Sequence, residues 1–271
     1  MRKTFAFRFV AKTAVLACAL AGAGASHAQT QAPLKVGFML PATGTFAALG
    51  DMIEKGFKLY VDEQGGKLGG RSLQFFKVDD ESEPSKATDN VNKLIKRDQV
   101  DVIVGTVHSG VALAMAKAAK ESNTLLLVPN AGADAITGPM CAPNIFRTSF
   151  SNWQPGYATG VIAAQKGYKR AMTITWNYAA GSETVKGFSE AFEKGGGKVI
   201  KDLNLPFPNV EFQALLTEIA AQKPDVVFAA EDAKIGEPFL DVGDAFLACR
   251  RQWRRGRSDR PADQHHAALQ R

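Results

Sequence analysis

Between residues 34 and 229 the chain alternates short apolar runs with segments whose apolar residues recur every three or four positions. The runs occupy residues 36–40, 73–78, 102–104, 125–128, 171–176, 199–205 and 226–229. Several are apolar at consecutive positions, which fits strands covered on both faces of a parallel sheet. Between them lie helical stripes: Met52/Ile53, Phe57 and Tyr60/Val61; Ala87, Val91 and Leu94/Ile95; Val185, Phe188 and Phe192; Phe212, Leu215/Leu216 and Ile219. A further helix is predicted over residues 111–120. Strand and helix alternating in this way predict an α/β fold with right-handed crossovers.

Glycine and proline punctuate the same boundaries. Gly65-Gly66 and Gly69-Gly70 are expected to close the first helix and Gly195-Gly196-Gly197 the fifth, because a left-handed C-cap favours glycine. Pro84 marks a helix start. A strand over residues 144–149 runs directly into a new helix at Trp153-Gln154-Pro155, and the crossover to a second domain is placed there. The expected organisation is an export signal over 1–28, a first lobe over 29–149, part of a second over 150–248 and a basic tail over 249–271.

The first segment carries Arg2, Lys3, Arg8 and Lys12, an apolar stretch over 14–25 and the small-x-small string Ser26-His27-Ala28, the pattern of a cleaved export signal with a mature start at Gln29. Charge has to be divided by region before it is interpreted. The total is +6; residues 1–28 hold +4 and residues 250–271 hold +5, which leaves −3 for the remainder. The overall basicity therefore says nothing about the binding surface, and no nucleic-acid partner is expected. The tail, with Arg250-Arg251 and Arg254-Arg255, has neither helical nor strand period. Out-of-frame translation is preferred to a nucleic-acid arm there. Beyond Cys18 in the signal, Cys141 and Cys249 remain, and spacing leaves open whether they pair.

Enzymatic chemistry is poorly provided for. Outside the signal and tail His108 is the only histidine, and it adjoins Ser109 instead of facing it as a base faces a nucleophile. There is no G-x-S-x-G elbow, dinucleotide fingerprint, phosphate loop or zinc-spaced cluster, so neither cofactor nor metal is expected. An exported α/β enzyme and a ligand-sensing regulator remain the alternatives to a binding protein. Ser109 is read as the N-cap of the 111–120 helix, where a hydroxyl and free N–H groups receive a carboxylate. Trp153 and Tyr178 offer aromatic walls. Asp79-Asp80-Glu81 is read as a solvated strand end.

A set of short motifs occurs in order over residues 34–230: Lys35-Val36-Gly37, Pro41-Ala42-Thr43-Gly44, Leu49-Gly50-Asp51, Asp79-Asp80 before Pro84, Val104-Gly105, Ser109-Gly110, Val128-Pro129-Asn130-Ala131 and Phe146-Arg147-Thr148. In these the chain resembles the leucine/isoleucine/valine-binding proteins, type I periplasmic solute-binding proteins of ABC importers. The resemblance implies two Rossmann-like lobes with parallel sheets, the second incomplete here, a membrane permease as partner and a small carboxylate, an amino acid of branched-chain or aromatic type, as ligand. It implies ligand contact for Ser109 with Gly110 and for Asn130, Ala131 and Gly132. Leu49 and Ala180 fall where the amino-acid binders carry ligand-facing tyrosines, a departure from simple branched-chain specificity, and Tyr178 and Trp153 as walls instead suit an aromatic or amide-bearing ligand.

Overall fold

A computed structural model of the chain describes residues 31–230 apart from Val210. The expected signal, the tail and Cys249 lie outside the described residues, and Cys141 is exposed and free. The strands are β1 (Leu34–Leu40), β2 (Lys67–Leu68), β3 (Arg71–Asp79), β4 (Val102–Val104), β5 (Leu125–Val128), β6 (Ile145–Arg147), β7 (Arg170–Trp176), β8 (Lys198–Leu205) and β9 (Val226–Ala230). The α-helices are α1 (Ala47–Glu63), α2 (Pro84–Asn92), α3 (Ser109–Ser122), α4 (Trp153–Gln165), α5 (Ala179–Lys194) and α6 (Gln213–Gln222). A π-helical turn Lys93–Arg97 extends α2, and a 3-10 turn Asp134–Thr137 follows β5. Among the described residues no helix is long and apolar enough to cross a membrane.

Two sheets form, in strand order β2-β3-β1-β4-β5-β6 and β8-β7-β9, and α4 follows the last strand of the first. All pairings are parallel except β2 with β3. The fold is therefore α/β with two parallel sheets, the second carrying three strands among the described residues. Consecutive burial in β1, β4 and β7 reflects cover on both faces. In β1, Val36, Phe38 and Leu40 turn toward Ile53 and Phe57 of α1, whereas Met39 packs with Val91, Leu94 and Met115 on the opposite face.

One glycine pair does different work from that expected. Gly65 and Gly66 follow the end of α1, but Gly69 and Gly70, at φ +57° and +80°, form the two-residue turn of the β2–β3 hairpin. Both central residues of a type I′ turn need positive φ, which glycine adopts without steric cost. The two-residue strand β2 was below what periodicity detects.

The second sheet and its helices make their closest contact through α4 and α5. A Cβ at Gly156 would lie 2.0 Å from the Thr184 carbonyl oxygen, and one at Gly187 would lie 2.2 Å from that of Trp153. The two helix backbones approach at these positions because no side chain stands between them. Phe188 and Phe192 stack beneath, with ring centroids 5.4 Å apart, and Phe188 lies 4.3 Å from Phe228 of β9.

Candidate functional site

A cleft of about 440 Å³ opens where the two sheets face each other, within the range of small-molecule sites. It lies beyond the carboxyl ends of parallel strands, where chain leaving β4 enters α3 and chain leaving β7 enters α5. Ser109 begins α3, Pro155 lies in the first turn of α4 and Ala180 in that of α5, and all three line the cleft. Three helix N-termini thus border it, each presenting the positive end of a helix dipole. Among the described residues, no lysine, arginine, histidine, aspartate or glutamate lines it.

The polar part of the wall comes from Ser109, Asn130, Asn152, Thr159 and Thr184, and the apolar part from Phe46, Leu49, Phe150, Tyr178 and Phe228. Phe46 and Leu49 are placed by the loop before α1. The Asp79 carboxylate holds that loop, accepting from Ala42 N–H at 2.8 Å and from the Thr43 hydroxyl at 2.7 Å.

Ser109 is not the N-cap. His108 is, in extended backbone geometry, and its Nδ1 accepts the Gly110 N–H at 3.0 Å. A neutral imidazole replaces the expected hydroxyl, so Ser109 Oγ is released for another contact. It accepts from Asn152 Nδ2 at 3.2 Å, which leaves its own proton to donate. The residue is 1% exposed. Gly110 stands outside the cleft lining, with its N–H held by the cap; a Cβ there would come within 3.0 Å of His108 and Pro84.

In the second loop Asn130 and Gly132 line the cleft and Ala131 does not. The Ala131 N–H donates to the Thr106 carbonyl at 2.9 Å, so it is not available to a ligand. Gly132 accepts from Asn152 N–H at 2.8 Å, and a Cβ on it would lie 2.3 Å from Asn152 Oδ1. Leu49, Tyr178 and Ala180 all line the cleft. Trp153 does not: its ring stacks on Tyr157 at 4.3 Å and its Nε1 donates to Glu190 of α5 at 2.7 Å.

Asp80 corrects a second expectation. It is fully buried, receiving the Thr106 hydroxyl and the Ser82 N–H at 2.8 Å. Burial holds its pKa above the ordinary aspartate range despite these donors. The turn after β3 carries it inward to the hydroxyl of Thr106, the residue whose carbonyl anchors Ala131.

Sequence reading missed Asn152 and Glu183. Asn152, 5% exposed, divides its Nδ2 protons between Ser109 Oγ and Glu183 Oε2, the latter at 2.7 Å. Its place just before the helix start at Trp153-Gln154-Pro155 was the one local signal. Among the described residues no group of three metal-ligating side chains converges.

The model of the Periplasmic binding protein family matches residues 33–245. A Leu/Ile/Val-binding protein of Rhizobium johnstonii is 31% identical over 221 residues, covering 80% of this chain and 58% of its own length. Among solved structures, an ABC-transporter solute-binding protein from R. palustris in complex with benzoate is 56% identical with a TM-score of 0.74, covering 76% of this chain and 57% of that one. Another, from Rhodopseudomonas palustris BisB5 in complex with 3,4-dihydroxybenzoic acid, is 31% identical with a TM-score of 0.72, covering 78% of this chain and 59% of that one. The chain spans less than two thirds of the length of each. With the family model running through both sheets, the chain belongs to the periplasmic binding protein family and has the type I fold of its ABC-transporter solute-binding members.

Proposed function

We propose that the chain is the periplasmic ligand-capturing component of an ABC importer, with a membrane permease as partner, and that its cleft takes a small aromatic carboxylate of the benzoate class. In this reading residues 1–28 direct export, and the ligand lies between a lobe over 29–149 and one over 150–248. The observation that carries it is the division of the cleft wall. Ser109 and Asn152 at two helix N-termini, with the Asn130 amide, suit a carboxylate, and the rings of Phe46, Phe150, Tyr178 and Phe228 in the same wall suit a flat apolar body.

Charge separates this ligand from an amino acid. An α-ammonium needs an anionic or multiple-acceptor partner, and the lining among the described residues provides no carboxylate. Leu49 and Ala180 also widen the cleft relative to tyrosines. The two R. palustris relatives are recorded with aromatic acids, whereas the Rhizobium relative is named for branched-chain amino acids. Hydrogen bonds to a charged group are worth about 1.5–3 kcal/mol each, so two or three of them supply much of the about 8 kcal/mol of micromolar binding. Catalysis finds little support, since His108 caps α3 through Nδ1 and is buried among rings.

Calorimetric titration of the 271-residue chain with benzoate and with leucine tests the reading. Benzoate is expected to bind at least about tenfold more tightly, about 1.4 kcal/mol. Leucine binding as tightly as benzoate would overturn it.

A further inference from the structure

Glu183 is not part of the cleft wall, yet it holds the residues that are. It projects from the second turn of α5, half-buried, and its Oε2 accepts from Asn152 Nδ2 at 2.7 Å and from the Asp134 N–H at 3.1 Å. The same Asn152 Nδ2 donates to Ser109 Oγ at 3.2 Å. A carboxamide nitrogen has two protons, and both are engaged here. One carboxylate on the second-sheet side therefore sets the side-chain orientation of Asn152, and through it fixes Ser109 as acceptor toward Asn152 and donor toward the cleft.

Burial raises the pKa of Glu183 above the ordinary range, and the Asp134 carboxylate adds to this. The donors Asn152 and Asp134 N–H, with the Arg147 charge from β6, act in the opposite sense. Arg147 itself donates to the carbonyls of Gly132 at 3.3 Å and Ala133 at 2.8 Å. From α4, residues 153–165 bring no charged side chain. On α5 Lys186 stands 3.9 Å from Glu190. His108 at the start of α3 is held neutral, its pKa pushed down to about 4 by burial. An anion seated against Ser109 thus meets a half-buried carboxylate two hydrogen bonds away and no cation among the described residues of the cleft wall. Like charge favours the neutral acid. The acid keeps a carbonyl oxygen with two lone pairs, enough for both present donors.

We propose that Glu183 is a positioning residue that orients Asn152 and Ser109 across the two lobes, and that it takes up one proton when an anionic ligand fills the cleft. The proton comes from solvent and bonds to a Glu183 carboxylate oxygen; no other bond changes. The inference rests on the carboxylate reading of the cleft.

The test uses the full chain, with benzoate as probe, by calorimetry between about pH 5 and 8 and in buffers of differing ionisation enthalpy. For the wild type the dissociation constant is expected to rise with pH above the Glu183 titration, approaching tenfold per pH unit, with net proton uptake on binding. Glu183→Gln, the neutral isostere, is expected to show a flat profile at the wild-type low-pH affinity. Glu183→Ala, which removes the acceptor, is expected to bind about tenfold more weakly throughout. A wild-type profile without pH dependence or proton uptake, or a Gln variant as weak as the Ala variant, would overturn the proposal.

A second arm needs no ligand. The Asn152 side-chain amide resonance of the free chain should follow the Glu183 titration and stay still in Glu183→Gln. A resonance indifferent to pH, or moving equally in both proteins, overturns the positioning role whatever binds. If the resonance follows Glu183 but benzoate does not bind the wild type, the functional reading and the proton linkage fall together, and the positioning contact stands.

Discussion

His108 and Tyr178 immediately precede α3 and α5, the helices whose first turns border the cleft, and their rings meet at a centroid distance of 4.9 Å. Phe207 lies 4.8 Å from the first ring and 5.4 Å from the second, and Phe46 lies 6.1 Å from His108. Residues of both lobes thus share one aromatic joint, continuous with the cluster that buries Trp176, Met172 and Leu216. The joint fixes the mutual placement of two cleft-bordering helix termini without a charge at either. It also requires a neutral His108, since an imidazolium has no lone pair for the Gly110 N–H.

That requirement sets a pH dependence of stability. Burial lowers the His108 pKa from 6.5 to about 4, so on acidification the unfolded chain binds the proton first. The contribution is fully present above the unfolded value and is lost as pH falls from about 6.5 toward 4, by about 3 kcal/mol in all. His108→Asn keeps a capping acceptor and removes the titration. Urea midpoints of the wild type are expected to fall more steeply than those of the variant between about pH 7 and 4.5. Parallel curves would show that His108 carries none of the dependence.

Asp80 is predicted to be needed for the second cleft loop as well as for stability. Asp80→Ala leaves the buried Thr106 hydroxyl and Ser82 N–H without their acceptor, at about 1–3 kcal/mol for each group. Asp80→Asn retains an oxygen for Ser82 and turns an amide toward Thr106, whose hydroxyl can accept, so its cost is expected to be under half that of the alanine variant. Denaturant unfolding checks both, and equal losses would mean that the charge matters more than the acceptor.

What the sequence made legible, and what it hid, divides by the range of the interactions involved. Strands β1, β4 and β7 are covered on both faces, and a continuous apolar run records that cover locally. The alternation of Val36, Phe38 and Leu40 against Met39 is not visible in such a run, because both faces are apolar. Ser109 was correctly placed at a helix start and wrongly made its cap, since serine is favoured there and nothing local announces that His108 supplies the acceptor. Asp80 reads as surface because aspartate usually is, and only the approach of Thr106 from 26 residues away makes it core. Asn152 and Glu183 were missed for the same reason: their contact spans 31 residues and two elements. The α4–α5 glycines carry no local signal, because the backbone that crowds each belongs to the other helix.

Those glycines predict a large effect from a small change. A methyl at Gly187 would sit 2.2 Å from the Trp153 carbonyl oxygen and 2.9 Å from Tyr157 N, both backbone atoms that cannot step aside. Gly187→Ala must therefore push α4 from α5, and overpacking of this kind costs about 1–3 kcal/mol or more. Gly56→Ala, with nothing within 4 Å of the added Cβ, serves as the control and is expected to be stabilising or neutral, as an exposed helical glycine replaced by alanine. Thermal melts of the two variants distinguish them; equal midpoints would mean that the helices separate without cost.

Two aromatic residues proposed as cleft walls are predicted to differ sharply in their effect on ligand affinity. Tyr178 lines the cleft beside Ala180, with its ring against His108 and Phe207. Tyr178→Ala removes wall area and an aromatic contact worth about 0.5–1.5 kcal/mol beyond burial, so benzoate affinity should fall about tenfold. Trp153 is held from the cleft by its stacking on Tyr157 and its hydrogen bond to Glu190. Trp153→Phe preserves the stacking and loses the indole donor at a partly exposed site, so benzoate affinity should stay within about twofold while stability drops by about 0.5–1.5 kcal/mol. Because Tyr178 also belongs to the aromatic joint, its variant needs a stability control: Phe207→Leu disturbs the joint without changing a cleft-lining residue. Titration of all three with benzoate decides the matter. If Phe207→Leu weakens binding as much as Tyr178→Ala, the joint and not the wall carries the effect. If Trp153→Phe weakens it most, the indole faces the ligand in solution and the assignment of Tyr178 as the wall is wrong.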